Sequence, residues 1–72
     1  MYLVIEIQKN ADGTVGTLVT SHADKNEAYV KYYTVLAAAA QSAVLVHSAA
    51  LLTDFGELVE SKAFIHPVEP VD

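Results

Sequence analysis

The eighteen residues from Val35 to Leu52, VLAAAAQSAVLVHSAALL, carry no formal charge, and they constrain the fold more than any other stretch. A membrane-spanning helix needs about 20 predominantly apolar residues. This stretch is shorter, is diluted by alanine, glutamine and serine, and contains His47, which is costly in lipid. No lysine or arginine cluster flanks it to set an orientation. The sequence therefore predicts two folded elements here rather than a membrane span.

The composition of the stretch changes in its middle, which divides it into a helix end and a strand. Before Gln41 it consists of alanine and leucine, residues that favour a helix. After Ser42 the β-branched Val44 and Val46 appear, and these favour a strand. The sequence thus predicts a helix that ends at Gln41–Ser42 and a strand over residues 43–52.

The start of the helix is indicated by Asp24, which is followed three residues later by Glu27. This spacing resembles a capping box with aspartate in place of serine or threonine. Apolar residues then recur at the spacing of one helix face. This stripe consists of Ala28, Tyr32, Val35, Leu36 and Ala39.

Two β-hairpins flank the predicted helix. Residues 2–8 alternate as a half-buried strand, and residues 15–20 resume strand composition after the turn NADGT. The second turn, TDFGE, leads into a strand over residues 58–65. In both turns the glycine, Gly13 or Gly56, suits the left-handed position that follows a type I turn.

The predicted fold class is therefore α+β, with the element order ββαββ. We expect a four-stranded, mainly antiparallel sheet with one helix packed on one face. Residues 1–66 form the single domain. Residues 67–72 contain Pro67 and Pro70, which block helix and ladder pairing, and are expected to form a flexible acidic tail.

Composition limits the chemistry that the chain can perform. With 72 residues and no cysteine, it has neither disulfides nor cysteine-bound zinc to stabilise a small core. The net charge is −5, with four lysines and no arginine, which disfavours nucleic acid and anionic membranes as partners. The N-terminus lacks the basic region of a signal peptide, so the expected location is cytoplasmic.

Self-association is predicted because one helix covers only one face of a four-stranded sheet, and 53% of the chain is hydrophobic. We assign Leu45, His47, Ala49, Leu51, Val59, Ser61, Ala63 and Ile65 to the helix side. The outer face then holds Tyr2, Val4, Glu6, Gln8, Leu18, Thr20, Val44, Val46, Ser48, Ala50, Leu52, Leu58, Glu60, Lys62 and Phe64. A register slip of one residue would exchange the two faces. Either assignment leaves an apolar face uncovered and predicts a homodimer.

The candidate contact residues combine this outer face with exposed tyrosines of the helix. Tyrosine is favoured at protein interfaces. The alternative for the tyrosines is that Tyr32 packs inward while Tyr29 and Tyr33 cover the sheet edge. The possible interface comprises Tyr2, Val4, Leu18, Val46, Phe64, Tyr29 and Tyr33.

The three histidines, His22, His47 and His66, show no metal-ligand spacing. We expect His47 to be a packed or interface strand residue bonded to a backbone group, and His66 to lie at the surface. His22 is expected in the loop before the helix, where it helps to cap the helix. No catalytic, cofactor-binding or metal site is predicted, and the chain is not expected to be an enzyme. The alternative is a small-ligand-binding or regulatory subunit with a pocket between helix and sheet near His47.

The segments MYLVIEIQ, NADGTVGTLVTSH, KYYTVLAAAA, VHSAALL and ESKAFIHPVEP carry a resemblance to known sequences. The chain resembles small uncharacterised proteins that are encoded in bacteriophages and prophages of gut-type bacteria. The resemblance runs over nearly the whole length. It implies a small phage accessory protein, and because the group has no known activity, it assigns no role to any residue.

Overall fold

The computed structural model describes residues 1–66 and contains one antiparallel sheet and one helix. The elements are β1 (Tyr2–Lys9), β2 (Val15–His22), α1 (Lys25–Ala40), β3 (Val46–Thr53) and β4 (Leu58–Ile65). The sheet order is β2-β1-β3-β4. The predicted α+β fold with the order β-β-α-β-β is confirmed. The predicted tail, residues 67–72, lies outside the described residues.

The two hairpins join through their first strands. β1 and β3 run antiparallel in the centre of the sheet, with Val4 opposite Leu51 and Ile5 opposite Ala50. The helix carries the chain from β2, at one edge, over the sheet to β3 on the far side of β1. As a result β2 and β4 form the two edges, and β1 and β3 provide most of the surface on which the helix rests.

Both hairpin turns have the predicted conformation. Gly13 has φ +92° and Gly56 has φ +88°, which is the left-handed region that favours glycine. In the first turn the Gly13 N–H donates to the Asn10 carbonyl at 3.0 Å, and the Asn10 N–H donates to the Thr14 carbonyl at 2.9 Å. The Thr14 N–H and hydroxyl both donate to the Asp12 carboxylate, which lowers the pKa of Asp12.

The helix boundaries agree with the sequence, whereas the capping box does not form. Asp24 occupies the N-cap in an extended conformation, but its side chain makes no capping hydrogen bond. The helix ends at Ala40, and the N–H of Gln41 bonds back to the Ala38 carbonyl at 3.2 Å. Within residues 1–66, no helix has the length and apolar character required to cross a bilayer.

The core lies between the helix and the two central strands. The predicted helix stripe is confirmed, since Ala28, Tyr32, Val35 and Ala39 are buried and Leu36 packs beside them. Alanine at the first and last of these positions lets the helix backbone approach the sheet closely. From the sheet, the core receives Val4, His47, Ala49 and Leu51.

The assignment of sheet faces is right for β3 and wrong for the first hairpin. His47, Ala49 and Leu51 point toward the helix as predicted. Because Val4 pairs with Leu51, the β1 residues in phase with Val4 also lie under the helix, and Val4 is only 1% exposed. Both phases of β1 are apolar, so its alternation alone did not show which one faces the helix.

The assignment of β4 is wrong because of a β-bulge. Near the turn Leu52 pairs with Leu58, but the next pair is Leu51 with Glu60, so Val59 is the extra residue. The bulge exchanges the faces of the rest of β4. Of the predicted interface residues, Phe64 lies on the helix side because of this bulge, and Tyr2, Val4 and Leu18 lie there because of the β1–β3 pairing. Val46 lies on the outer face as predicted.

Candidate functional site

The sheet surface opposite the helix is the principal candidate site, and we call it the open face. Its members are given by the pairing of the four strands and consist of aliphatic side chains with a few hydroxyl groups. They are Leu3, Ile5, Ile7, Val15, Thr17, Val19, Ser21, Val46, Ser48, Ala50, Leu52, Leu58, Ser61, Ala63 and Ile65. Lys9, at the end of β1, is the only charged side chain in this phase.

Charged groups are segregated from the open face. Glu6, Glu60 and Lys62 lie on the helix side of the sheet. Apart from Lys9, the other charged residues of the described chain lie in the turns, before the helix or on it. These are Asp12, Asp24, Lys25, Glu27, Lys31, Asp54 and Glu57. A sheet face that is exposed to water normally carries polar residues, so the open face is less polar than a solvated face usually is.

The outer strands present most of the exposed apolar area. Val15 and Val19 on β2, and Leu58 and Ile65 on β4, are each more than half exposed. The inner residues Leu3, Ile5 and Ile7 are half-buried because their neighbours on the same face shield them. Four strands of eight residues give the face an area of about 500 Å² from standard strand spacings.

The second candidate site is a hydrogen-bonded pair beneath the helix. The His47 Nε2–H donates to Glu6 Oε2 at 2.6 Å, across the junction of β1 and β3. The Gln8 amide donates to the same oxygen at 3.1 Å. The hydrogen bond from His47 lowers the pKa of Glu6, against the opposing effect of burial.

The geometry of this pair favours a structural role. His47 is 4% exposed, and its Nδ1 is buried with no hydrogen-bond partner among residues 1–66. A groove of about 240 Å³ is lined by Glu6, Gln8, Gly16, Thr17 and Leu18. Another of about 430 Å³ lies between His22, at the end of β2, and the helix face from Asn26 to Thr34. His47 lines neither groove, so neither brings a substrate to its free nitrogen. No group of three potential metal ligands occurs in the described part of the chain.

The other two histidines lie at the ends of the outer strands, His22 as the last residue of β2 and His66 directly after β4. The ring Nε2–H of His66 donates to the Ala39 carbonyl at 2.8 Å, and the ring stacks on Phe64. His66 is therefore half-buried and ties the end of β4 to the end of the helix, which corrects the expectation of a surface residue. The His22 ring is hydrogen-bonded to the Thr20 hydroxyl at 3.0 Å.

The helix tyrosines form one aromatic cluster. Tyr29 and Tyr33 stack at 5.9 Å between ring centres, and the ring of Tyr32 meets that of Tyr33 at an angle of 63°. Tyr32 is buried, and burial followed by the nearby Glu60 raises its pKa. Tyr29 packs against the core, and Tyr33 is half-exposed. The participation of Tyr29 and Tyr33 in an interface stays a prediction.

Sequence reasoning missed the open-face residues of the first hairpin, among them Leu3, Ile5 and Ile7, and it placed Ser61, Ala63 and Ile65 of β4 on the helix side. For Leu3, Ile5 and Ile7 a signal is present in the sequence, because this phase of β1 holds no charge before Lys9 at the end of the strand, whereas the other phase holds Glu6 in its middle. The face of a strand that holds a charged residue is normally assigned to solvent. Here Glu6 is accommodated under the helix by His47, and the uncharged phase is left uncovered.

Comparisons with known proteins do not narrow the function: no protein-family model, curated protein or solved structure matches the chain. The resemblance to phage-encoded proteins stays a prediction.

Proposed function

We propose that the protein is a non-enzymatic assembly module that associates with a second copy of itself through the open face. The observation that carries this proposal is the uncharged aliphatic surface built around Leu3, Ile5 and Ile7. When two such faces stack, Lys9 lies at the rim, at the exposed end of β1, so the middle of the interface holds no charge. The few hydroxyl groups of the face bond to one another or to the backbone. An accessory role in a phage, which the resemblance implies, belongs to the same proposal.

The size of the open face suits a dimer of moderate affinity. Two faces of about 500 Å² bury about 1,000 Å² in total, which is the lower limit for a specific interface. We therefore expect dissociation in the micromolar range. The apolar character of the face adds to the driving force, because removal of aliphatic surface from water is favourable in proportion to its area.

The charge distribution favours a second copy over charged partners. The chain has a net charge of −5 and no arginine, so nucleic acid and anionic lipid find no cationic cluster. In the stacked dimer the carboxylates of both copies lie on the far sides and in the turns. Because the two copies still repel at long range, we expect added salt to strengthen the dimer by screening.

Sedimentation velocity at micromolar concentration tests the proposal with one substitution and one matched control. Ile5 lies in the middle of the open face, between Val19 and Ala50, and Ile5→Lys places a charge there in both copies. Because Ile5 is already half-buried in the single copy, losing two isoleucines costs about half of the 1.5–3 kcal/mol of full burial at each, and this weakens the dimer by about 10- to 150-fold. The control is Val30→Lys, because Val30 is exposed on the helix.

We expect a dimer for the wild type and for Val30→Lys, and a folded monomer for Ile5→Lys by circular dichroism. A monomeric wild type at these concentrations overturns the proposal. An Ile5→Lys variant that dimerises as well as the wild type does so too, because the interface then lies elsewhere.

A further inference from the structure

The two edges of the sheet differ in how they are protected against pairing with another strand. Proteins guard exposed edges with bulges, with charged side chains and with proline. The β4 edge has the bulge at Val59 together with Glu60 and Lys62. The β2 edge, VGTLVTSH, has no bulge, no proline and no formal charge along its eight residues. β2 is thus an open template for a further strand.

The backbone groups that β2 offers follow from the turn. The Asn10 N–H bonds to the Thr14 carbonyl, which makes these two residues a hydrogen-bonded pair. Hydrogen-bonded and non-hydrogen-bonded pairs alternate along an antiparallel ladder. The β2 residues that bond to β1 are consequently Gly16, Leu18, Thr20 and His22. The N–H and C=O groups that point away from the sheet are those of Val15, Thr17, Val19 and Ser21.

We propose that β2 pairs antiparallel with β2 of a second copy, about a two-fold axis at Leu18. In this register Val15 faces the partner's Ser21 and Thr17 faces the partner's Val19, and the symmetry repeats both pairs. Four hydrogen-bonded pairs then form, with two bonds each, and every outward group is used. An axis at Thr17 or at Val19 leaves one of the four residues without a hydrogen-bonded pair.

The side chains at the axis fit this register. Leu18 becomes a non-hydrogen-bonded pair with the partner's Leu18, which is the closest side-chain approach in an antiparallel ladder. Leu18 is more than half exposed in the single copy. Gly16 leaves the groove of about 240 Å³ beside Leu18, and the diagonal position of the partner's Leu18 points to this space. The pairing thus covers an exposed leucine on each copy.

Edge pairing is independent of stacking through the open face and has a different consequence. It joins two sheets into one of eight strands and doubles the continuous open face to about 1,000 Å². Two of these sheets then stack into a tetramer. Because two edge strands bury less apolar surface than two faces, we expect the tetramer to form from dimers as the concentration rises.

Amide hydrogen exchange followed by NMR tests the pairing on the unmodified chain. At concentrations where the tetramer is populated, we expect the amides of Thr17 and Val19 to become protected. The matched control is Ala63, whose amide points away from the sheet on the guarded edge, because the His66 N–H bonds to the Leu45 carbonyl and sets the alternation of β4. Exchange at Ala63 should not change through edge pairing. If Thr17 and Val19 exchange as fast as Ala63 at every concentration, the edge proposal is overturned.

Substitutions separate the two interfaces. Thr17→Pro removes an outward N–H and leaves the bonds to β1 intact, and Ala63→Pro is the equivalent change on the guarded edge. By sedimentation at high concentration we expect a tetramer for the wild type and for Ala63→Pro, and a dimer for Thr17→Pro. Ile5→Lys should retain only the edge-paired dimer. A tetrameric Thr17→Pro refutes the edge pairing alone, whereas a tetrameric Ile5→Lys refutes the open-face dimer alone.

Discussion

The two residues of the Glu6–His47 pair are predicted to differ in how much stability is lost when each is replaced. Loss of one partner of a buried polar pair is usually costly, but here only the loss of Glu6 should be. His47 has one ring nitrogen bonded to Glu6 and one without a partner. A hydrogen bond to a charged group contributes about 1.5–3 kcal/mol, and a buried unpaired nitrogen costs about 1–3 kcal/mol. Replacing either residue with leucine changes these two contributions in different ways.

Glu6→Leu should destabilise the fold strongly. It removes the acceptor and leaves both ring nitrogens of His47 unpaired under the helix, so the free energy of unfolding should fall by about 2–3 kcal/mol. A domain of this size has a total stability of roughly 4–10 kcal/mol. The loss is therefore a large fraction of the whole and is easily seen in urea unfolding.

His47→Leu should change the free energy of unfolding by no more than about 1 kcal/mol. It removes the unpaired Nδ1 and adds aliphatic contact to the core. The Glu6 carboxylate keeps the Gln8 amide as a donor, and because its side chain is 18% exposed it regains contact with water. The double variant should be about as stable as the wild type, which gives a coupling energy of about 1.5–3 kcal/mol.

Urea unfolding of the wild type, the two single variants and the double variant measures these differences. Circular dichroism checks that each variant keeps the fold. Two results would contradict this prediction: a larger loss of stability in His47→Leu than in Glu6→Leu, or losses that simply add in the double variant. Either would mean that the cost of the unpaired His47 Nδ1 does not offset the hydrogen bond to Glu6.

Two further predictions concern acid stability and the first turn. The pKa of Glu6 is lowered from its ordinary value of 4.5, so its contribution to stability is complete above that pH and is lost as the pH falls through the folded-state pKa. Urea unfolding between neutral and acidic pH should thus show a shallower acid decline in Glu6→Leu, and an unchanged slope would contradict this. Gly13→Ala forces a side chain into the left-handed region and should lower the free energy of unfolding by about 1–2 kcal/mol. The loss is measured as a lower melting temperature. Gly16→Ala is the control, because Gly16 has no positive φ and open space for a Cβ, and an equal loss in both variants would refute the assignment to backbone strain.

The parts of the fold that the sequence predicts are those set by local interactions. Gly13 and Gly56 determine both turns because only glycine adopts their conformation without strain. The apolar stripe from Ala28 to Ala39 identifies the buried side of the helix, and the change of composition at Gln41 marks its end. The element order follows from these features alone.

The choice between the two faces of β1 depends on a distant part of the chain. Both phases of β1 are apolar enough to be buried: one holds Leu3, Ile5 and Ile7, and the other holds Tyr2 and Val4. The pairing of Val4 with Leu51 sets the choice, because a residue and its partner in an adjacent strand point to the same side of a sheet.

The bulge at Val59 also could not be predicted from the local sequence, because nothing in LVESKAFI marks it. Its effect is to move Glu60 and Lys62 to the helix side and to leave the other face of β4 without charge. The sequence by itself determined the elements, their turns and the excess of apolar surface over what one helix can cover. Tertiary structure alone decided which surface remains uncovered. The alternation of side chains in a strand defines two faces but does not show which one packs on the helix, and the register with a neighbouring strand decides this.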